Sequence, residues 1–391
     1  MRFHPLARAA LSFAIITCVA IPARAEQGVT AEKIVLGQVA ALEGPAAALG
    51  QGMRDGLQAA FAAANLAGGV KGRKLELISV DDGYEPTTSV AAAKQMIEGG
   101  QVLALVGSVG TPTSAAVQPI ATEAGVPLIG AFTGAEFLRD PSKHGVINVR
   151  ASYFQETETM VERLTKDLGA ARIAIFYQDD AYGRAGLAGV KLALERRDMS
   201  LAAEGTYERN TIAVKNALLT IRKATPDAVI MVGAYKPTAE FIKLARQMKF
   251  APAFVSISFV GAEALAAEVG AAGAGVFVTQ VVPFPEDTSL GLVAEYRAAL
   301  TALKPDARPA FISLEGFMVG RFVVAALEAI PGDISRQALI DTVTKTGHFD
   351  LGGMTLTYGV GNNRGANQVF LTVLQPDGSF RPVVAMPKAA G

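Results

Sequence analysis

The chain has 391 residues, of which 36 are basic and 36 acidic, and half of all residues are hydrophobic. This composition excludes general disorder, and at roughly 150 residues per domain the length predicts about two folded domains. The zero formal charge argues against a nucleic-acid-binding protein that works by bulk electrostatics. One cysteine and three histidines are too few for the common zinc sites, and we expect neither a metal nor a cofactor.

Residues 1–25 have the pattern of a secretory signal peptide. Positive charge near the start is followed by an apolar stretch over 11–21, and Ala23-Arg24-Ala25 offers small residues for cleavage before position 26. The apolar stretch is too short to span a bilayer. A short buried helix and a lipoprotein signal around Cys18 are the alternatives. We therefore expect a periplasmic protein whose mature chain has no cysteine.

From residue 33 onward, strand and helix patterns alternate. Short apolar runs bounded by turn residues predict buried strands, and amphipathic stretches between them predict helices. The alternation predicts an α/β fold with parallel sheets covered by helices on both faces. The predicted strands are 33–40, 74–81, 102–107, 127–132, 172–177, 200–207, 227–233, 253–257 and 275–280, and the first helices are 51–66, 86–99 and 111–124.

Helix start signals accompany several of these stretches. Thr111 before a proline predicts an N-cap, and Ser152 with Gln155 predicts a capping box. Asn210 predicts the start of a further helix, and Pro237 that of another.

Three composition breaks interrupt the alternation, near 149–151, 281–287 and 352–365. Three breaks in a chain of two-domain length indicate that the chain passes between two lobes more than once.

Most patterns of catalytic chemistry are missing from the sequence. The turn 106–110 does not match a nucleophile elbow, because Val106 stands where the first glycine of G-x-S-x-G is needed. Neither a P-loop nor a dinucleotide-binding glycine motif is present. Asp81-Asp82 and Asp179-Asp180 could serve acid–base chemistry or bind a cation, although such pairs more often cap helices. We predict no catalytic residue and no metal ligand.

Hydroxyl groups crowd one predicted strand end. Between the strand 102–107 and the next helix lie Ser108, Thr111, Thr113 and Ser114. We call these four residues the hydroxyl turn. Hydroxyls and free backbone N–H groups at a helix N-terminus form an anion site suited to a carboxylate or phosphate. In parallel α/β sheets, ligands bind at the carboxyl ends of strands. The pattern predicts either such a site or a set of ordinary helix caps.

Three further strand ends carry polar or aromatic groups. Phe132-Thr133-Gly134 closes the strand after the hydroxyl turn, at the same predicted sheet edge. In the second half, Tyr182 and Tyr235 follow two strands, where each ring could cover apolar ligand surface or lie half-buried at a helix start.

Several stretches taken together resemble the periplasmic solute-binding proteins of branched-chain amino acid ABC transporters, over nearly all of residues 30–385. They are Ile34-Val35-Leu36-Gly37, Gly44-Pro45, Gly50, Gly56, 68–77, Asp81-Asp82, Pro86, 107–114, Gly125-Val126-Pro127, Tyr182-Gly183 and Gly233-Ala234-Tyr235.

The resemblance implies a type I periplasmic binding protein, or Venus-flytrap, fold. Two Rossmann-like lobes with parallel sheets would be joined by three crossovers, with 30–149 plus 282–355 in lobe 1 and 150–281 plus 356–391 in lobe 2. Ligand would bind between the lobes, hinge closure would bury it, and the closed protein would meet a membrane permease. We expect a monomer.

Carried over by position, the resemblance also implies roles for the residues above. The first-lobe group, Ser108, Thr111, Thr113, Ser114, Phe132, Thr133 and Gly134, would hold a ligand carboxylate, and Tyr182 and Tyr235 would line the pocket from the second lobe. Family members that bind α-amino acids tend to place an acid in the loop after strand 253–257, where this chain has Ser258. Either Asp180, Glu43 or Glu315 pairs the ammonium instead, or the ligand lacks one and packs on Phe259 or Phe317.

The sequence therefore predicts a non-catalytic receptor with a leucine-binding-protein domain that feeds an ABC importer. Its ligand is a small carboxylate, most simply an aliphatic amino acid. The alternatives are a receptor for aromatic or other organic acids without an ammonium, a sensory subunit that presents its ligand to a membrane receptor, and a secreted enzyme that uses one of the aspartate pairs.

Overall fold

A computed structural model of the chain describes Met1 and residues 26–387. The predicted signal peptide, apart from Met1, lies outside the described residues. Within the described part of the chain, no helix is both long enough and apolar enough to cross a membrane.

The first half of the chain folds into a five-stranded parallel sheet in the order β2-β1-β3-β4-β5. Its strands pair in parallel throughout, with β1 and β2 in register over all eight residues. The strands are β1 Lys33–Ala40, β2 Lys74–Asp81, β3 Ala104–Val106, β4 Leu128–Ile129 and β5 Val146–Ile147, and the helices are α1 Ala47–Leu66, α2 Pro86–Glu98 and α3 Thr111–Glu123.

A second sheet of seven strands follows, in the order β15-β14-β10-β9-β8-β6-β7. The strands β6 to β10 run parallel, whereas β14 and β15 add antiparallel at one edge. The strands are β6 Ile173–Gln178, β7 Ala203–Tyr207, β8 Ala228–Val232, β9 Ala253–Ser256, β10 Phe277–Gln280, β14 Phe370–Leu374 and β15 Phe380–Pro382, and the helices are α4 Tyr153–Leu168, α5 Ala181–Glu195, α6 Lys215–Lys223, α7 Tyr235–Gln247 and α8 Ala262–Val269.

Between β10 and β14 the chain returns to the first lobe. The returning elements are α9 Gly291–Leu303, α10 Phe311–Glu328, α11 Arg336–Thr346 and an antiparallel sheet of β11 His348–Asp350, β12 Thr355–Gly359 and β13 Asn362–Gly365. Helix α10 packs directly on α1, where a Cβ on Gly56 would lie 2.0 Å from the Ser313 carbonyl oxygen. Only glycine permits this backbone approach.

The chain thus crosses between the two large sheets three times: between β5 and β6, after β10, and before β14. This is the topology that the resemblance to the binding-protein family implies. The predicted division at 355/356 falls at the start of β12, and the lobe boundaries stay a prediction. Strand β13 lies beside the end of β5. There the N–H of Asn148, the residue after β5, donates to the carbonyl of Asn363 in β13 (2.9 Å).

Two predicted helix starts are displaced, and one is confirmed. The helix predicted from Asn210 is α6, which begins at Lys215, because Asn210 adopts a left-handed φ of 61° and turns its side chain toward the first lobe. Helix α7 begins at Tyr235 rather than Pro237. At α4, the capping box of Ser152 and Gln155 is present with both of its hydrogen bonds.

Candidate functional site

The hydroxyl turn after β3 lies buried against the end of β4. The side-chain oxygens of Thr111 and Thr133 are 2.6 Å apart. The hydroxyls of Ser108 and Ser114 are buried and have no hydrogen-bond partner among the described residues. Thr113 differs, since its hydroxyl donates to carbonyls of the preceding turn, including that of Gly110 at 3.0 Å. Of the four hydroxyls of the turn, those of Thr111 and Thr113 are therefore paired, and those of Ser108 and Ser114 are not.

Two glycines bring the walls of this region together. Gly110, rather than the predicted Thr111, is the N-cap of α3, and its φ of 107° lies in the region that favours glycine. A Cβ there would also lie 2.4 Å from the Tyr84 ring. Gly134 accepts the Tyr153 N–H at 2.7 Å, and a Cβ on Gly134 would lie 2.5 Å from the Tyr153 ring. The predicted site residue Gly134 thus seats the start of α4 against the first lobe.

Phe259 inserts between the lobes and is surrounded by aromatic rings. Its ring centroid is 4.4 Å from that of Tyr182, 5.2 Å from that of Phe132 and 6.2 Å from that of Tyr84. The Tyr153 ring lies 5.6 Å from that of Tyr182. These five side chains are all buried and pack together between the two sheets. We call them the aromatic chamber.

Tyr235 lies farther along the same interface. Its hydroxyl is at the start of α1, where it accepts the Ala48 N–H at 3.5 Å. Tyr235 therefore faces the first lobe across the cleft, while Tyr182 packs inside the aromatic chamber.

Sequence reasoning missed Arg150, which follows β5 at the first crossing. Its guanidinium is buried 3.2 Å from Glu156 and 3.3 Å from Glu315, and it also donates to the Ser258 hydroxyl. Its central carbon lies 5.0 Å from the Phe132 centroid and 5.9 Å from that of Tyr153. We call Arg150, Glu156, Glu315 and Ser258 the crossover cluster.

Glu156 ties Ser258 into the crossover cluster. Its carboxylate accepts the Ser258 N–H at 2.9 Å, the Ser258 hydroxyl at 3.0 Å and the Thr279 hydroxyl at 2.6 Å. The predicted site residue Ser258 is therefore engaged by a buried ion pair, and the acid of this region comes from α4 rather than from its own loop.

The crossover cluster and the neighbouring Tyr153 contain hydrogen-bond donors that are not used. Arg150 Nε and Nη1 and the Tyr153 hydroxyl are buried without a hydrogen-bond partner among the residues the structure describes. Burial raises the pKa of Tyr153, which keeps the phenol protonated and able to donate.

The three acids considered as ammonium partners have different surroundings. Glu43 is exposed. Asp180 caps α5 by accepting the Tyr182 N–H at 2.9 Å, and it also accepts from Gln178 at 2.6 Å. Glu315 is buried, and burial raises its pKa from 4.5 to about 7, although Arg150 acts to lower it.

A second arginine cluster joins the lobes where β2 and β7 end, each of which is an edge strand of its sheet. Arg209 lies 3.0 Å from Glu85 of the first lobe and 3.3 Å from Asp180 of the second. Asn210 donates to Glu85 at 2.7 Å and to the Gly83 carbonyl at 3.1 Å. We call Arg209, Asn210, Glu85 and Asp180 the edge cluster. Its contacts hold the lobes together in a closed arrangement.

Beside the edge cluster, Tyr84, Gln178, Tyr207 and Pro237 line a small cavity of about 10 Å³. Across the part of the chain described, no three histidine, cysteine, aspartate or glutamate side chains are arranged to hold a metal ion.

A family model described as periplasmic binding protein matches residues 33–379. The chain belongs to the periplasmic binding protein family. The resemblance predicted from sequence and the two-lobe fold are thereby confirmed. The hydroxyl turn, the aromatic chamber and the crossover cluster lie between the lobes of this family's fold.

Several similar proteins are named for the binding of leucine, isoleucine and valine. Leu/Ile/Val-binding protein homolog 3 of Brucella melitensis is 30% identical over 217 residues, which are 55% of this chain and 57% of that protein. The chain thus spans less than two thirds of this relative's length. The crystal structure of a possible leucine/isoleucine/valine-binding protein from Rhodopirellula baltica is 38% identical with a TM-score of 0.86, covering 93% of this chain and 98% of that one.

The same fold occurs with other ligands. A fatty acid ABC transporter substrate-binding protein from Thermomonospora curvata has a TM-score of 0.83 at 21% identity, covering 92% of this chain and 93% of that one. At this identity the likeness concerns the fold alone, so the fold is compatible with more than one ligand class.

Proposed function

We propose that this protein is the solute receptor of an ABC importer and that it binds a small carboxylate-bearing molecule between its lobes. The observation that carries the proposal is that five of the nine buried side-chain polar atoms without a hydrogen-bond partner among the described residues belong to the hydroxyl turn, Tyr153 and Arg150. They are Ser108 Oγ, Ser114 Oγ, Tyr153 Oη, Arg150 Nε and Arg150 Nη1. Buried polar groups are nearly always hydrogen-bonded, so a concentration of exceptions in one place indicates a missing partner.

The chemistry of these atoms favours an anion. The Arg150 guanidinium can only donate, and the hydroxyls of Tyr153, Ser108 and Ser114 can donate as well as accept. The N-terminus of α3 adds the positive end of a helix dipole at the hydroxyl turn. A carboxylate would accept from Thr111, Thr133 and Tyr153, while the aromatic chamber covers the rest of the ligand.

The closed arrangement supports a receptor that encloses its ligand. Phe259 and the edge cluster contact both lobes, and opening would have to separate these contacts. Hinge motion about the three crossings would admit the ligand and close over it. The closed surface would then dock on a membrane permease, with the receptor acting as a monomer.

Two ligand classes follow from different observations. The names of the relatives favour an aliphatic amino acid such as leucine. The engagement of Ser258 and Glu156 with Arg150 favours an acid without an ammonium.

The test is calorimetric titration of residues 26–391, first unfolded in guanidinium and refolded to remove co-purified ligand. The panel contains aliphatic and polar amino acids, short amides, and benzoate- and cinnamate-type acids. Thr111→Ala with Thr133→Ala should weaken binding of any ligand found at least about tenfold, since hydrogen bonds to a charged group contribute about 1.5–3 kcal/mol. Thr122→Ala, on the exposed side of the same helix, is the control. Unchanged affinity in the double variant would contradict the assigned site.

A further inference from the structure

The cleft contains a fixed cation of its own. Arg150 is buried at the first crossing, with its guanidinium beside the Phe132 and Tyr153 rings of the aromatic chamber. We propose that Arg150 selects against ammonium groups, so that the cleft takes a carboxylic acid with an apolar body rather than an amino acid. This inference rests on the proposed function, because it concerns the ligand class of the same cleft.

The first argument is that the buried acceptors are already in use. Glu156 receives hydrogen bonds from Ser258, Thr279 and Arg150, which occupy the roughly four lone-pair positions of a carboxylate. Asp180 receives the Tyr182 N–H and the side chains of Gln178 and Arg209. A ligand ammonium, with three N–H donors, would have to displace one of these partners.

The second argument is that the unpartnered atoms of the cleft are donors. Arg150 Nε and the Tyr153 hydroxyl make no hydrogen bond in the described part of the chain, and Arg150 Nη1 lies 3.3 Å from Glu315 without forming one. A carboxylate supplies acceptors to such donors, whereas an ammonium adds further donors. A surplus of donors therefore matches an anion that has no cationic group.

The third argument is electrostatic. Glu315, the remaining buried acid, already lies 3.3 Å from Arg150. An ammonium that approached Glu315 would come close to the guanidinium in surroundings of low dielectric, where like charges repel strongly. The rings of Phe132, Phe259 and Tyr182 supply apolar surface beside Arg150, which suits a hydrocarbon or aromatic body.

The test compares ligands that differ only in the ammonium. L-Leucine is paired with 4-methylpentanoate, and L-phenylalanine with 3-phenylpropanoate, on refolded residues 26–391 by calorimetry. The acid of at least one pair should bind at least 100-fold more tightly than its amino acid, which corresponds to about 2.8 kcal/mol.

A variant then links the preference to Arg150. Arg150→Gln with Glu315→Gln removes one charge of each sign and should reduce the preference to less than tenfold. Arg246→Gln is the control, because Arg246 contacts the Phe254 ring away from the aromatic chamber. If the double variant does not fold, the wild-type comparison of the paired ligands decides alone.

The outcomes separate the two proposals. Leucine or phenylalanine binding as tightly as its paired acid, with loss of that binding in the Thr111→Ala, Thr133→Ala variant, would overturn the inference and leave the receptor function standing. If none of the four compounds nor any carboxylate of the wider panel binds, the proposed function itself fails.

Discussion

The crossover cluster and the edge cluster share one arrangement of charges in two different environments. Each places one arginine between two carboxylates and near an aromatic ring, Arg150 at 5.0 Å from Phe132 and Arg209 at 6.0 Å from Tyr84. The side-chain exposures are 1% for Arg150, 0% for Glu156 and 4% for Glu315. They are 22% for Arg209, 45% for Glu85 and 14% for Asp180.

This difference in burial assigns different tasks to similar contacts. A buried charge that loses its partner is strongly destabilising, so the crossover cluster must stay assembled for the protein to remain folded. A partly exposed pair contributes less and is screened by salt, so the edge cluster can separate and re-form as the lobes move. The crossover cluster is therefore suited to hold the charge of a ligand in a fixed position. The edge cluster is suited to form a contact when the lobes close.

The largest expected effect comes from breaking the buried pair. Arg150→Ala should lower the free energy of unfolding by about 3–5 kcal/mol, because Glu156 and Glu315 are left buried without their cation. Arg209→Ala should cost no more than about 1 kcal/mol. Urea unfolding followed by circular dichroism measures both, and similar losses in the two variants would remove the distinction between the clusters.

An intermediate effect concerns pH. The raised pKa of Glu315, about 7 against 4.5 unfolded, means that its contribution to stability is fully present below pH 4.5 and is lost as the pH rises through 7. Glu315→Gln should therefore flatten the decline in stability between pH 4.5 and 7, by at most about 1.4 kcal/mol per pH unit. Part of the decline should remain, since burial also raises the pKa of Glu263 to about 7 and that of Asp82 to about 6.

Urea midpoints at intervals from pH 4.5 to 7.5 provide this measurement. Glu85→Gln in the edge cluster serves as the control and should keep the wild-type slope. A slope that is the same in Glu315→Gln and wild type would place the pH dependence elsewhere in the molecule.

The smallest effect is expected on ligand affinity at the edge cluster. Glu85→Ala removes contacts to Arg209 and Asn210 that exist only while the lobes are closed. Affinity should fall by about 2- to 5-fold, within the 0–1 kcal/mol of exposed pairs, and the deficit should shrink in high salt. Arg184→Ala breaks an exposed pair with Asp179 inside one lobe and should leave affinity unchanged. Equal effects of the two variants would argue against a closing role for the edge cluster.

Local sequence pattern was sufficient for the parts of the site that lie on strand ends. Strands β1 and β2 match their predicted bounds, and the hydroxyl turn and Phe132-Thr133-Gly134 lie where parallel strands end. Thr111 and Thr133 come together because the carboxyl ends of the neighbouring strands β3 and β4 share an edge. The role of these residues in binding stays a prediction.

By itself, then, the sequence determined the alternation of strands and helices, the two-lobe fold and the group of hydroxyls at one helix start. The alternation and the hydroxyl group follow from periodicity and turn residues within a short window, whereas the two-lobe fold is what the resemblance to the binding-protein family implied. Tertiary structure alone decided that Arg150 meets Ser258, 108 residues away, and that Glu156 rather than a residue of the Ser258 loop supplies the buried acid. A lone arginine after a strand has the same local pattern whether it is solvated or buried, and only the packing of two lobes around it removes the water and makes its charge decisive.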